Sequence, residues 1–144
     1  MAGLDLQRVF DIAGTALNAQ SVRMNTIASN LANVGSEASS EAEAFRAKRT
    51  VFEALLRKEQ LHQGAPVVGG VKLAGITDDP SPVISRFDPR NPKADEKGYV
   101  YLSNVNAVAE MVDMLDASRG FENNVEVVNT ARQLMLKTLE VIRS

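Results

Sequence analysis

An alternation of spacings opens this chain and constrains its fold more than any other feature. Leu6, Phe10, Ala13, Leu17, Gln20, Met24, Ile27, Leu31 and Val34 follow one another at steps of four and three, and only Gln20 is polar. That is a heptad seam, the pattern of a helix laid lengthwise on a partner. No proline interrupts it, and Gly35 stands where a helix C-cap is expected. The spacing predicts a helix over residues 3–34, about 48 Å long at ~1.5 Å per residue. Such a helix must protrude or lie along another long one.

The far end supplies the other one. Asn104, Ala107, Met111, Met114, Ser118, Phe121, Val125, Val128, Arg132, Met135, Leu139 and Ile142 alternate in the same way. A second row, Val105, Val108, Val112 and Leu115, runs beside it, and a third follows in Val127, Ala131, Leu134 and Val141. One partner helix does not need so much apolar circumference. The two terminal helices can pair lengthwise, most simply antiparallel, and the extra rows then stay open to association. Identical subunits joined head-to-tail through unlike faces build open filaments. Gly120 interrupts the second helix at a cost of ~1 kcal/mol relative to Ala, which implies a bend or close packing.

Between the helices the character changes. Residues 35–43 are small and polar and read as a flexible link. Residues 44–61 fit either a strand or a helix. Gly64, Pro66, Gly69, Gly70 and Gly75 punctuate Val67, Val68, Val71, Leu73 and Ile76, a pattern of short strands and turns. Pro80, Pro82, Pro89 and Pro92 exclude a long helix there. Residues 83–87 and 99–102 are further candidate strands. The expected fold is therefore mainly α with a small β-rich insert. It divides into an N-terminal helix of an inner coiled-coil layer (1–34), a link and outer insert (35–103), and a C-terminal helix of the same layer (104–144).

Composition narrows the function. Sixteen basic against 18 acidic side chains leave a net charge of −2, so electrostatic nucleic-acid binding is not expected. The absence of Cys removes disulfides, zinc–thiolate sites and thiol nucleophiles. Aromatics reach only 5%, less ring area than a compact core of this size commonly holds. No apolar run is long enough to span a membrane, and no basic and apolar leader opens the chain. Residues 1–34 carry just two acids and two bases, against ten of each in 35–103.

No residue set for catalysis emerges. His62, the single His, sits in a polar stretch leading into a turn and has no nucleophile or metal set spaced for it. Asp78-Asp79 and Asp95-Glu96 lie beside Pro or Gly and read as turn residues. The glycines of residues 69–75 lack a phosphate-loop signature. Arg46, Lys48 and Arg49 form a basic cluster that nearby acids offset. Neither an enzyme activity, a cofactor nor a metal is expected. Asparagine is the unusual polar residue: Asn18, Asn25, Asn30 and Asn33 on the first helix, Asn123, Asn124 and Asn129 on the last. Asn is a mediocre helix former, and its short amide suits polar register contacts between packed helices.

The string Ala28-Ser29-Asn30-Leu31-Ala32-Asn33 resembles the Asn-Leu-Ala-Asn signature of the axial proteins of the bacterial flagellar rod and hook. Residues 87–92 (Phe-Asp-Pro-Arg-Asn-Pro), 98–100 (Gly-Tyr-Val), 104–106, 110–119, 123–131 and 135–139 are similar to the basal-body rod branch of that family. The resemblance covers nearly the whole chain. Ser103 stands where that family commonly has Pro, and Gly120-Phe121 where Ser-Tyr is common.

The resemblance implies a structural subunit of the proximal rod in the periplasmic space, exported by the flagellar type III apparatus without a cleaved signal peptide. Its implied partners are other rod proteins, copies of itself and the adaptor at the inner-membrane ring, with no nucleic acid and no direct membrane insertion. Terminal helices would form the inner layer, order on assembly and carry motor torque. Candidate packing and assembly residues are Leu6, Phe10, Leu17, Met24, Ile27, Leu31, Met111, Leu115, Phe121, Val125, Val128, Met135 and Leu139, with Asn30 and Asn33 for polar register. A soluble helical adaptor or export chaperone is the alternative, and a loop-built enzyme site in residues 64–103 is disfavoured by the residue inventory.

Overall fold

The computed structural model describes residues 2–56 and 68–143. In chain order these form α1 (Ala2–Ala32), β1 (Glu37–Ala38), β2 (Lys48–Leu56), β3 (Val68–Asp78), β4 (Ile84–Phe87), β5 (Tyr99–Leu102) and α2 (Ala107–Arg143). The expected architecture of two long terminal helices around a small β insert is present. His62, Gly64, Pro66 and Val67 lie outside the described residues.

Helix α1 ends two residues before its expected limit. The N–H groups of Asn33, Val34 and Ser36 turn back onto carbonyls three residues earlier, and Gly35 takes φ +71°. That is the glycine-assisted stop the sequence signalled. Helix α2 starts later than expected, at Ala107, with Asn104 outside it. Asn106 caps it: its Oδ1 accepts the Ala109 N–H at 3.1 Å and its carbonyl accepts the Glu110 N–H at 3.0 Å.

Of residues 44–61, which fit either a strand or a helix, Lys48–Leu56 form β2, and 57–61 lie outside the described residues. The described part of the glycine-punctuated run is one strand of 11 residues, Val68–Asp78, instead of several short ones. The physical reason lies at Gly70, whose φ is +130° and where a Cβ would come within 2.4 Å of Thr15 Oγ1. Glycine there sets the strand directly on α1, and the Val71 N–H donates to Thr15 Oγ1 at 3.2 Å. β2 and β3 form a two-stranded sheet.

The second sheet runs β1-β5-β4, with both pairings antiparallel. Glu37 and Ala38, from the stretch read as a link, pair with Leu102 and Tyr101. Ile84 to Phe87 pair with Leu102 to Tyr99. Val100 in the central strand is fully buried. Asp95 builds the connection between β4 and β5: its Oδ1 accepts the N–H of Lys97 (2.9 Å) and of Tyr99 (2.8 Å), an Asx-type turn. Those bonds, the Tyr99 N–H foremost, hold the Asp95 carboxyl below the usual range. Asp95 is thus the turn residue the sequence suggested.

By its contacts the chain divides into two compact units. One contains residues 1–23, 51–75 and 116–144, the other residues 24–50 and 76–115. Each unit takes a part of both helices. In the first, Ala13, Ala117 and Ala131 are buried, and Gly120 lies against Gln20, where an added Cβ would stand 2.8 Å from Nε2. Gly120 therefore serves close packing. In the second, Ile27, Asn30, Ala44, Ala47, Val100, Ser103 and Glu110 are buried.

The inward line on α2 differs from the expected seam. Met114, Phe121, Val128 and Met135 keep their partly covered places, but the alternate rungs are Glu110, Ala117, Asn124 and Ala131. The expected rungs Met111 and Val125 are 56% and 37% exposed, and Arg132 faces solvent. Small alanines let helices approach more closely than bulky residues do, which turns the Val125 flank outward.

Candidate functional site

Two polar side chains buried at the end of α1 and the start of α2, Asn30 and Glu110, form a network with Arg49 of β2 in the second unit. Asn30 lies on the last turns of α1, on the rung beside Ile27, and its side chain is wholly buried. A buried amide without partners is costly, so its bonds can be counted. Its Oδ1 accepts the Lys48 N–H at 2.8 Å, and its Nδ2 donates to the Lys48 carbonyl at 2.9 Å. The side-chain amide thereby pairs with one residue of β2 as a neighbouring strand would. The second Nδ2 proton goes to Glu110 Oε2 at 2.9 Å.

Glu110, in the first turn of α2, is also wholly buried. Its other oxygen accepts from Arg49 Nη1 at 2.7 Å. Arg49 reaches on to Asp79, with Nη2 at 3.2 Å and Nε at 3.3 Å from Oδ2, and lies 3.9 Å from Asp113 Oδ2. Burial works against the Arg49 charge, but Glu110 and then Asp79 outweigh it, and its pKa stands above the ordinary arginine value. Asp79 is held below the usual carboxylate range by hydrogen bonds from Ser81, hydroxyl then backbone N–H, with Arg49 adding to them. A charge buried with a matched partner and satisfied lone pairs is costly to break on one side only.

Asn104 repeats the device one residue earlier on the insert. Its Oδ1 accepts the Ala47 N–H at 2.7 Å, and its Nδ2 donates to the Ser81 carbonyl at 2.8 Å. The Ala47 carbonyl in turn accepts the Asp79 N–H at 2.8 Å. Residues 47–49 are thus gripped by α1, by the segment before α2, by the 79–81 turn and by α2. Glu37 anchors the small sheet's edge: Asn91 donates to Oε2 at 2.8 Å and Arg86 pairs with Oε1, and both lower its pKa, Asn91 more.

The candidate residues fall into two groups. Leu6, Phe10, Leu17, Met24, Leu31, Phe121, Val128 and Met135 are partly covered within the chain and Ile27 is buried. Met111, Leu115, Val125 and Leu139 are exposed. Asn30 sits in the network, whereas Asn33 donates to Ser29 O of its own helix at 2.8 Å on an exposed face. Arg49, Glu110 and Asn104 were missed as site residues. One signal was available for Glu110: it shares its heptad position with Ala117 and Ala131, whose small size marks an inward rung.

On α2 a stripe points away from the network. Val108 (71%), Met111 (56%), Val112 (52%) and Leu115 (60%) stand exposed at steps of three, one and three, one face of a helix. Leu134, Leu136, Leu139, Val141 and Ile142 are exposed further along. Among the described residues no group of three or more His, Asp or Glu could hold a metal ion, and no described helix is long and apolar enough to cross a membrane.

Comparison with known proteins explains the two helices. Residues 10–34 match the family described as flagella basal body rod protein, and residues 96–141 match the flagellar basal body rod FlgEFG protein C-terminal family. The first includes Asn30 and the second Glu110, so the network joins the two matched segments. Among full-length relatives, the flagellar basal-body rod protein FlgC of Yersinia enterocolitica is 47% identical over 136 residues, 94% of this chain and 97% of that protein. FlgC of Escherichia coli O6:H1 is 46% identical over 93% of this chain and 96% of its own length. FlgC of Borreliella burgdorferi is 34% identical over 92% and 95%. These matches define the class as flagellar basal-body rod proteins, structural components and not enzymes. Within that class the chain belongs to the FlgC family.

Proposed function

We propose that this chain is a structural subunit of the proximal rod of the bacterial flagellar basal body, where it joins other rod proteins and further copies of itself through its terminal helices and carries motor torque. The observation that carries this reading is the outward stripe Val108, Met111, Val112 and Leu115, borne by a helix whose sequence matches a rod-protein family. Full burial of one such side chain contributes ~1.5–3 kcal/mol. More than half of each remains exposed, so the four together offer several kcal/mol to an added helix, before the entropy of association is met.

The inner layer is read as a pairing of α1 with α2. Gln20 lies against Gly120 in one unit and Asn30 bonds Glu110 in the other, so within each unit a part of α1 meets a part of α2, which supports the pairing. The insert would form the outer part. Contact with the adaptor at the inner-membrane ring, passage through the type III export apparatus without a cleaved signal peptide, and a periplasmic position belong to the same reading. So does ordering of the terminal helices on assembly.

Peptide mass spectrometry of purified hook–basal bodies tests it. Peptides from residues 104–144 in intact basal bodies, with an unprocessed N-terminus, are the expected result. Recovery of the chain only as a small soluble oligomer would refute it and favour an adaptor or chaperone.

A further inference from the structure

We infer that the Asn30–Glu110–Arg49 network, together with the Lys48 backbone, determines the register in which α1 pairs with α2. The need for such a device follows from the helices themselves. On α1 one inward heptad position carries Leu6, Ala13, Gln20 and Ile27, and the other Phe10, Leu17, Met24 and Leu31. On α2 the inward rungs repeat in the same period, with Glu110, Ala117, Asn124 and Ala131 on one position and Met114, Phe121, Val128 and Met135 on the other. A slide by one heptad returns apolar rungs to apolar rungs along most of the length. Apolar seams of this kind specify register weakly, and a buried polar contact specifies it strongly, because the wrong register leaves the polar group unpaired.

The network supplies that contact from both sides. Asn30 and Glu110 are each wholly buried, and they bond to one another at 2.9 Å. A slid helix would leave the Asn30 amide opposite Ala117 or beyond the start of α2. The Lys48 N–H and carbonyl, which both end on Asn30, would lose their partners together. Arg49 ties the same carboxylate to Asp79 in the insert. Helix register is thereby referred to a strand that does not belong to either helix. Asn30 and Glu110 are positioning residues here, and the inference stands on the subunit's own contacts and not on rod assembly.

The absence of cysteine makes the test clean. Gly120 lies against Gln20, so Gln20→Cys with Gly120→Cys reports the native register in the full chain. Gln20→Cys with Val127→Cys reports a slide of one heptad. Oxidation at high dilution, with mass spectrometry to select intramolecular links, reads both. Without further change the native pair should link at least several-fold faster than the slid pair. In Asn30→Leu, which keeps a side chain of similar length but makes it apolar, the native link should fall several-fold while far-ultraviolet circular dichroism keeps the helicity. Asn30→Asp should lower it too by setting carboxylate against carboxylate, and adding Glu110→Gln, which restores a donor, should recover part of it. An unchanged native link in folded Asn30→Leu would overturn the inference. Equal linking of both pairs in the unaltered background would do so as well. If every Asn30 variant loses helicity together with the link, and Glu110→Gln restores neither, the network is a folding element and not a register device.

Discussion

The two asparagines of one short motif should differ sharply in what they contribute. Asn30→Ala removes three hydrogen bonds at once. It leaves the Lys48 N–H, the Lys48 carbonyl and one oxygen of Glu110 without that partner. A buried polar group stripped of its partner costs ~1–3 kcal/mol. Lys48 is only partly buried and Glu110 keeps Arg49, so the lower half of that range applies to each group. The sum over the three groups is about 3–6 kcal/mol, at the severe end for a point substitution. Asn33→Ala loses one exposed bond to its own helix and should stay within ~0.5 kcal/mol of the unaltered chain. Only Asn30 lies inside α1, where the gain in helix propensity works against the loss, so the gap understates the network. Urea unfolding of the isolated chain, followed by circular dichroism at 222 nm, measures it. A gap between the variants of less than ~1 kcal/mol would refute the reasoning that Asn30 satisfies otherwise unpaired groups.

Four further outcomes are expected. Gly98→Ala should destabilise by at least ~1–3 kcal/mol from backbone strain alone, because Gly98 has φ +83° and its Cβ would stand 2.9 Å from the Phe87 ring; a shift in Tm below 2 °C would contradict this. Ala117→Leu should cost ~1–3 kcal/mol through overpacking of a fully buried rung, seen as a lower urea midpoint. Leu115→Glu, on the outward stripe, should leave the isolated chain's stability within ~0.5 kcal/mol yet abolish swimming in a complementation assay; normal swimming would remove the stripe from assembly. The carboxyls of Glu37, Asp79 and Asp95 lie below their ordinary values. Their folded pKa is lower than the unfolded one, so their stability is complete above the unfolded values near ~4 and is lost as pH falls through the folded values. Unfolding midpoints should be level from about pH 7 to 5 and drop below about pH 4. A flat profile down to pH 2 would count against these three anchors.

Local chemistry explains which features were legible. The stop at Gly35, the strands at 84–87 and 99–102 and the Asp95 turn each depend on residues a few positions apart, and each appeared close to where it was expected. The inward rungs of α2 did not. Val125 and Met111 look better suited to an apolar seam than Glu110 or Asn124, and only the closeness allowed by Ala117 and Ala131 turns the smaller rungs inward. Along the chain the basic cluster at 46–49 has the acids Glu41, Glu43 and Glu53 for neighbours. Arg49 instead finds Glu110 and Asp79, residues remote in the chain.

By itself the sequence determined a periodic protein: two long seamed helices, a glycine- and proline-rich insert, no cysteine, and more apolar surface than one chain can cover. Those properties follow from residue type and spacing, which act within one or two helical turns. The tertiary structure decided which rungs meet, that one long strand replaces several short ones, and that Lys48 and Arg49 join the buried Asn30 and Glu110 in one network. Hydrogen bonds and charge pairs are short-ranged and directional, so their partners exist only once distant segments have been brought within about 3 Å. Spacing along the chain carries no record of that distance.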